Sequence, residues 1–197
     1  MWLVGDSQFG RIKQNLLLDC RVTAFRGGDI TSVCTALRSA QTMSAYVDVV
    51  CLGLGSVDVL RGQEKGLVGK LEKVCHMFQT HLGYTGTLVL ATLPPFALHR
   101  AVIDKDNEAL RAKVETLSTV QLLDWAALLT GHPKPETCFE RDGVHVSFAG
   151  AGMLVHSLTG YGLAKSGKQS APGPKTDLVV ENGLSARINE DNEDVSM

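Results

Sequence analysis

Short apolar runs rich in β-branched residues recur along the first two thirds of the chain. Runs of this length and composition indicate buried strands. Five strands are predicted in this way, over residues 2–4, 21–25, 47–54, 87–93 and 120–125. The third run is apolar at nearly every position apart from Asp48 and Gly53, which is typical of a central strand that is covered on both faces.

The segments between these runs have helical spacing. Leu67, Leu71, Val74, Phe78 and Leu82 recur every three or four residues and form one apolar stripe. The predicted helices cover residues 9–19, 29–46, 67–82, 104–117 and 148–161. Strands that alternate with helices favour right-handed βαβ units, so we predict an α/β fold, a three-layer α/β/α sandwich around a five-stranded parallel sheet.

The composition changes at residue 165, where Ser, Gly, Pro and Lys give way to a run of Asn, Glu and Asp. Residues 165–197 carry the whole formal net charge of -2. We therefore expect one folded domain over residues 1–164 and a flexible acidic tail over residues 165–197. The short apolar patch at residues 178–180 is a candidate for docking on a protein partner, and the alternative is a solvated leash.

Composition and charge restrict the function classes. Hydrophobic residues make up 44% and charged residues 20% of the chain, as in an ordinary globular protein. A net charge of -2 supplies no general attraction to nucleic acid or anionic membranes. Five cysteines without a CxxC pair favour a reducing, cytoplasmic compartment. The start of the chain has no signal-peptide pattern, and no apolar run reaches the roughly 18 residues of a membrane span, so we expect neither secretion nor a span.

The first predicted strand ends in Gly5-Asp6-Ser7. Ligands of an open parallel sheet bind at the carboxyl ends of its strands. A serine at a strand-to-helix turn exposes its hydroxyl and places its N–H where negative charge is favoured, so Ser7 is a candidate nucleophile. The alternative is that Ser7 or Asp6 only caps the first helix.

The second candidate group is Asp142-Gly143-Val144-His145, just before the last predicted helix. A carboxylate three residues ahead of a histidine can accept the Nδ1–H of the imidazole and leave Nε2 to take a proton from a serine. One loop can thus hold a base and the group that orients it. The alternative is an aspartate in a turn and a histidine near a helix cap.

These residues resemble the SGNH or GDSL-type hydrolases, a flavodoxin-like group of small esterases and lipases. Gly5-Asp6-Ser7 is similar to the first sequence block of that family and the Asp142 to His145 segment to the last. The glycine of the second block is matched within Arg26-Gly27-Gly28-Asp29, where Gly28 is the favoured counterpart and Gly27 the alternative. The resemblance covers residues 2–163, with the blocks in the family's order, and it implies the strand order 2-1-3-4-5.

The resemblance also implies roles for the matched residues. Ser7 would be the nucleophile, His145 the base and Asp142 the partner of His145. The backbone N–H groups of Ser7 and Gly28 would be two donors of an oxyanion hole, the group of hydrogen-bond donors that stabilises the negative oxygen of the intermediate.

The third block departs from the family pattern. The family has Gly-x-Asn-Asp, whose asparagine completes the oxyanion hole, and this chain has Gly55-Ser56-Val57-Asp58. Valine has no hydrogen to donate, and loss of one such donor costs about 2.7 to 4 kcal/mol, or about 10² to 10³ in rate. We therefore expect a slowed hydrolase, with Ser56 as a less favoured substitute donor.

Two function classes follow from the sequence. The first, which we favour, is a serine esterase that hydrolyses a small acyl ester, with Val57, Arg26 and Phe96 near the substrate. Phe96 is expected to form an apolar wall for the acyl group, or alternatively to cover the end of the sheet. The second class is a catalytically degenerate binding or scaffold module, to which nucleic acid would bind through arginines such as Arg26. No metal or nucleotide cofactor is implied.

Overall fold

The computed structural model describes residues 1–12, 20–39 and 47–162, with the side chains of residues 159–162 excepted. Five strands form one parallel sheet in the order β2-β1-β3-β4-β5. The strands are β1 (Trp2–Gly5), β2 (Arg21–Ala24), β3 (Val49–Gly53), β4 (Thr87–Ala91) and β5 (Val120–Leu123). The predicted strands, their parallel direction and their order are confirmed. The tail expected at residues 165–197 lies outside the described residues.

Six α-helices connect or follow the strands of the described ranges: α1 (Ile30–Ser39), α2 (Ser56–Leu60), α3 (Leu67–Thr80), α4 (Arg100–Glu115), α5 (Trp125–Thr130) and α6 (Phe148–Gly162). The helix predicted over residues 9–19 begins as a 3-10 turn at Phe9–Arg11, and residues 13–19 lie outside the described ranges. The sequence did not predict α2 and α5, because five or six residues are too few to show a helical period.

The sheet divides the apolar core into two layers. On one face, Val4, Val50 and Leu52 belong to the same buried cluster as the apolar sides of α1, α3 and α4. On the other face, Leu3 and Cys51 share a cluster with buried residues of α5 and α6. Successive strand residues point to opposite faces, so each strand contributes to both layers. This arrangement is the predicted three-layer α/β/α sandwich.

The strand β3 lies at the centre of the sheet and is buried along its whole length. Its last residue, Gly53, pairs with Gly5 at the end of β1. A Cβ atom at either glycine would overlap the ring of Phe9. The two glycines therefore allow the Phe9 ring to lie directly on the strand ends. There the ring packs edge-to-face on Trp125, with 5.9 Å between the ring centroids. This packing fixes the chain that follows Ser7.

No helix within the described ranges is long and apolar enough to cross a lipid bilayer.

The space for the Phe9 ring can be tested by Gly53→Ala. We expect this substitution to lower the free energy of unfolding by about 1 to 3 kcal/mol, because the added methyl group overlaps a fully buried ring. Gly69→Ala is the matched control on α3, where a Cβ meets nothing within 4 Å. It should raise stability by up to about 1 kcal/mol through helix propensity. Urea unfolding of both variants measures the difference, and equal effects would contradict the packing argument.

Candidate functional site

The turn after β1, residues 5–10, is called here the Ser7 turn. Its centre is the side chain of Asp6, which is 1% exposed. One carboxylate oxygen accepts the N–H of Gln8 at 3.0 Å, and the other accepts the N–H of Ser56, the first residue of α2, at 2.9 Å. Asp6 therefore joins the end of β1 to the segment that follows β3.

The charge of Asp6 is costly to bury. Burial raises the pKa of this carboxyl to about 6, although hydrogen bonds from the Gln8 and Ser56 N–H groups, the Ser56 hydroxyl and the Val57 N–H act in the opposite direction. At neutral pH the group is ionised and holds these donors in place.

The loop over residues 140–147 is called here the His145 loop. Asp142 Oδ2 accepts a hydrogen bond from His145 Nδ1 at 2.7 Å. Its other oxygen accepts the N–H groups of Val144 and His145, both at 2.9 Å. Gly143 has a φ of 65°, which lets the chain turn back on itself between the two side chains. The imidazole is thus oriented with Nε2 as the nitrogen left for chemistry.

These bonds also set the charge of Asp142. The hydrogen bonds from the His145 side chain and from the N–H groups of His145 and Val144 lower the pKa of the carboxyl to about 2. Asp142 is therefore ionised at any physiological pH, which favours the tautomer with the proton on Nδ1. That tautomer is the one a general base needs, because Nε2 can then accept a proton.

Gln8 connects the Ser7 turn to the His145 loop. Its side-chain Nε2 donates to the Val144 carbonyl at 3.1 Å, and its Oε1 accepts the Val146 N–H at 2.9 Å. The bonded residues are more than 130 positions apart in the chain. The sequence analysis missed Gln8. The available signal was a long amide side chain directly after the candidate nucleophile and before a buried phenylalanine.

Ser7 itself is half-buried at the sheet edge. Its carbonyl accepts the N–H of Gly10 at 3.2 Å, which closes the turn. Within the described ranges, neither the Ser7 hydroxyl nor the Ser7 N–H has a hydrogen-bond partner, and no hydrogen bond joins Ser7 to His145. The structure therefore brings Asp142 to His145 and, through Gln8, ties their loop to the Ser7 turn. The contact between Ser7 and His145 stays a prediction.

The segment of the third block forms α2. Val57, which stands at the family's asparagine position, is buried, and its N–H interacts with Asp6. The Ser56 hydroxyl is also hydrogen-bonded to Asp6, and its role as a substitute donor stays a prediction. Asp58 accepts the N–H of Ile30 at 3.0 Å and a hydrogen bond from Lys70 at 2.9 Å. This carboxylate fixes the start of α1 beside the segment.

The second-block glycine lies in a tight turn after β2. The Gly28 N–H donates to the Phe25 carbonyl at 3.0 Å, and Gly27 has a φ of 66°. The predicted oxyanion donor therefore already has an acceptor in this conformation.

Arg26 is exposed, and its Nε lies 3.8 Å from the point that a Cβ on Gly10 would occupy. Arg26 thus lies beside the Ser7 turn, where an anionic group of a ligand could reach it.

Phe96 does not form an accessible wall. Its side chain is 1% exposed and belongs to the core on the α3 and α4 face of the sheet. This position corresponds to the alternative in which the ring covers the sheet end. In the same loop Leu98 is 70% exposed. Asn107 holds the loop through two hydrogen bonds to the backbone of Leu93, at 2.8 and 2.9 Å.

A narrow crevice runs between the Ser7 turn and the loop after β4. Gln8, Ser56, Thr92, Leu93 and Trp125 line it, and it has no room for a water molecule. In the part of the chain that the structure describes, no deep channel opens at this crevice.

Solved structures share this fold. The chain is similar to a lipolytic protein of the G-D-S-L family from Veillonella parvula, with a TM-score of 0.66 and 14% identity over 82% of this chain and 97% of that chain. A lipase/acylhydrolase from Enterococcus faecalis gives a TM-score of 0.59 and 16% identity over 81% and 96% of the two chains.

A carbohydrate esterase family 3 protein from Talaromyces cellulolyticus gives a TM-score of 0.61 and 14% identity over 82% and 95% of the two chains. No protein-family model matches the chain, and no curated protein matches it by sequence. The chain therefore has the fold of the SGNH-type hydrolases, as the resemblance of its sequence blocks implied.

The stabilisation that the bond between Asp142 and His145 gives the folded protein depends on pH. The folded-state pKa of Asp142, about 2, is below its usual value of 3.8. The bond therefore contributes its full stabilisation above pH 3.8, and this contribution is lost as the pH falls from 3.8 through about 2. The difference in unfolding free energy between wild type and Asp142→Asn should shrink in that window. About half of the side chain is exposed, so screening limits the difference to roughly 1 kcal/mol. Denaturant unfolding at several pH values measures it, and a constant difference would contradict this account.

Proposed function

We propose that the protein is a serine esterase of the SGNH type that hydrolyses a small acyl ester. The observation that carries the proposal is the 2.7 Å bond between Asp142 and the Nδ1 of His145, in a loop that Gln8 ties to the Ser7 turn. The fold shared with proteins described as lipases, esterases and acylhydrolases supports the same conclusion.

The proposed reaction has two halves. In the first, the Ser7 Oγ attacks the ester carbonyl while His145 Nε2 takes the hydroxyl proton, and Asp142 stabilises the imidazolium that forms. The tetrahedral intermediate collapses to an acyl-enzyme, and His145 returns the proton to the departing alcohol. In the second half, water attacks the acyl carbonyl with His145 again as the base, the bond between the acyl carbon and Ser7 Oγ breaks as His145 returns the proton to Oγ, and the acid leaves.

Stabilisation of the oxyanion is the weak part of this site. The Ser7 N–H, which has no protein acceptor within the described ranges, is the first proposed donor. Gly28 would supply the second donor if its N–H were shared between Phe25 and the substrate oxygen. Val57 supplies none through its side chain. The cost of one missing donor, about 10² to 10³ in rate, fits a slow enzyme.

The first test is covalent labelling of Ser7. A fluorophosphonate probe should label the wild-type protein and leave Ser7→Ala unlabelled, because only a hydroxyl activated by His145 attacks phosphorus at a useful rate. His145→Ala should slow labelling by about 10² or more. Intact-mass spectrometry detects the adduct, and Ser147→Ala is a control for labelling of a neighbouring hydroxyl. Absence of labelling between about pH 6 and about 9 would reject the esterase.

The second test restores the missing donor. Val57→Asn should raise turnover of a short nitrophenyl ester by about 10- to 100-fold if the new amide reaches the oxyanion. Val57→Leu is the control, since its side chain has the same number of heavy atoms and the same branch point as asparagine but donates nothing. Steady-state kinetics gives the ratio of the two rates. No increase for Val57→Asn in a folded protein would mean that the oxyanion lies elsewhere.

The second candidate function is a binding module that has lost its chemistry. The observation that favours it is that the Ser56 hydroxyl and the N–H groups of Ser56 and Val57 are already hydrogen-bonded to Asp6. Exposed Arg26 beside the Ser7 turn would then contact an anionic ligand such as RNA. A mobility shift that weakens with salt and with Arg26→Glu, together with failure to label Ser7, would support this alternative.

A further inference from the structure

Gln8 is a buried glutamine whose side-chain amide is hydrogen-bonded to the protein backbone. It follows the proposed nucleophile, its side chain is 1% exposed, and both ends of its amide are hydrogen-bonded. The two partners, the Val144 carbonyl and the Val146 N–H, belong to the residues on either side of His145. A buried amide with both ends bonded fixes its partners strongly, because breaking either bond leaves an unsatisfied polar group.

Two bonds of this kind restrict the loop more than one would. A single hydrogen bond lets a loop pivot about it, whereas a donor and an acceptor on one planar amide set both distance and rotation. The base of the Gln8 side chain is itself fixed, because the Gln8 N–H donates to buried Asp6 at 3.0 Å. One side chain, that of Gln8, therefore sets the position of His145 relative to the turn that carries Ser7.

The internal shape of the His145 loop does not depend on Gln8. The Glu140 N–H donates to the His145 carbonyl at 2.7 Å within the loop, and the Ser147 N–H donates at 2.9 Å to the carbonyl of Cys138, which lies just before the loop. Asp142 holds the imidazole from within the same loop. What Gln8 adds is the placement of this preformed loop relative to β1, on the other side of the proposed active site.

We infer that Gln8 is a positioning residue that holds His145 at the position, relative to Ser7, from which it can accept the proton of the hydroxyl. The inference rests on the proposed esterase function and names a residue that acts on the reaction only through the placement of the base. Proton transfer is sensitive to such placement, and an error of about 1 Å costs roughly 10²-fold in rate.

The test compares two glutamine-to-methionine variants. Gln8→Met preserves the length of the side chain and removes both hydrogen bonds. It should lower kcat for a short nitrophenyl ester by roughly 10- to 100-fold with little change in KM, because the substrate surface is intact and the base is displaced. Gln79→Met removes a hydrogen bond of the same type, from Gln79 Nε2 to Thr119 at 2.7 Å on the outer side of α3, and should leave both constants unchanged.

Hydrogen exchange at the Val146 amide provides a readout that does not need activity. This N–H should be protected in wild type and should exchange faster in Gln8→Met, while the Ser147 N–H, which donates to the Cys138 carbonyl and not to Gln8, should keep its protection. If Gln8→Met is too unstable to measure, Gln8→Asn keeps the polar amide but is one methylene too short for both bonds. It should show the same loss of kcat and of Val146 protection.

The outcomes separate the inference from the proposed function. An active wild type with unchanged kcat in folded Gln8→Met and Gln8→Asn overturns the inference and leaves the esterase intact. An equal fall in kcat for Gln79→Met would reduce the effect to general destabilisation and would also overturn it. A wild type that neither labels at Ser7 nor hydrolyses the ester overturns the proposed function, and the catalytic purpose of Gln8 with it.

Discussion

The ionised carboxylate of Asp6 is the constraint on which the site depends. It is buried at the meeting point of β1 and β3, where no solvent is available to stabilise its charge. Its stability comes from N–H groups that belong to two separate segments, at Gln8 and at Ser56. A buried charge is tolerated only while such donors stay in place, so the carboxylate obliges the Ser7 turn and the start of α2 to keep their relative positions.

A second buried carboxylate extends the same principle. Asp58 accepts the Ile30 N–H at the start of α1, with Lys70 as its counterion. Residues of the short helix α2 thus contact both loops that flank it. Together with the Gln8 amide, these polar contacts join segments that follow β1, β2 and β3 to the loop before α6. The apolar layers stabilise the sheet, and the polar contacts at its edge define the site.

The sequence predicted the features that follow a local pattern of residues, and it missed the contacts between residues that are far apart in the chain. The five strands were visible because both faces of a parallel sheet must be apolar, and the Asp142 to His145 pair was visible because its two members are three residues apart. Gln8 was not, because its partners are near residue 145, and its place directly after the candidate nucleophile does not by itself identify them. The burial of Phe96 was undecided for a similar reason, since an aromatic residue in a loop can equally cover a sheet end or face solvent.

The donors of the third block also explain why a departure at one position can affect the whole edge of the sheet. Asp6 attracts the N–H and hydroxyl of Ser56 and the N–H of Val57, and an oxyanion at Ser7 would compete for donors in the same small volume. An asparagine side chain at position 57 would give the edge a donor that Asp6 does not already engage. With valine there, the available donors stabilise the buried carboxylate, so structural integrity takes precedence over stabilisation of the intermediate. The slow chemistry that we propose thus follows from the missing side-chain donor at position 57, because the neighbouring donors are already engaged by the buried carboxylate.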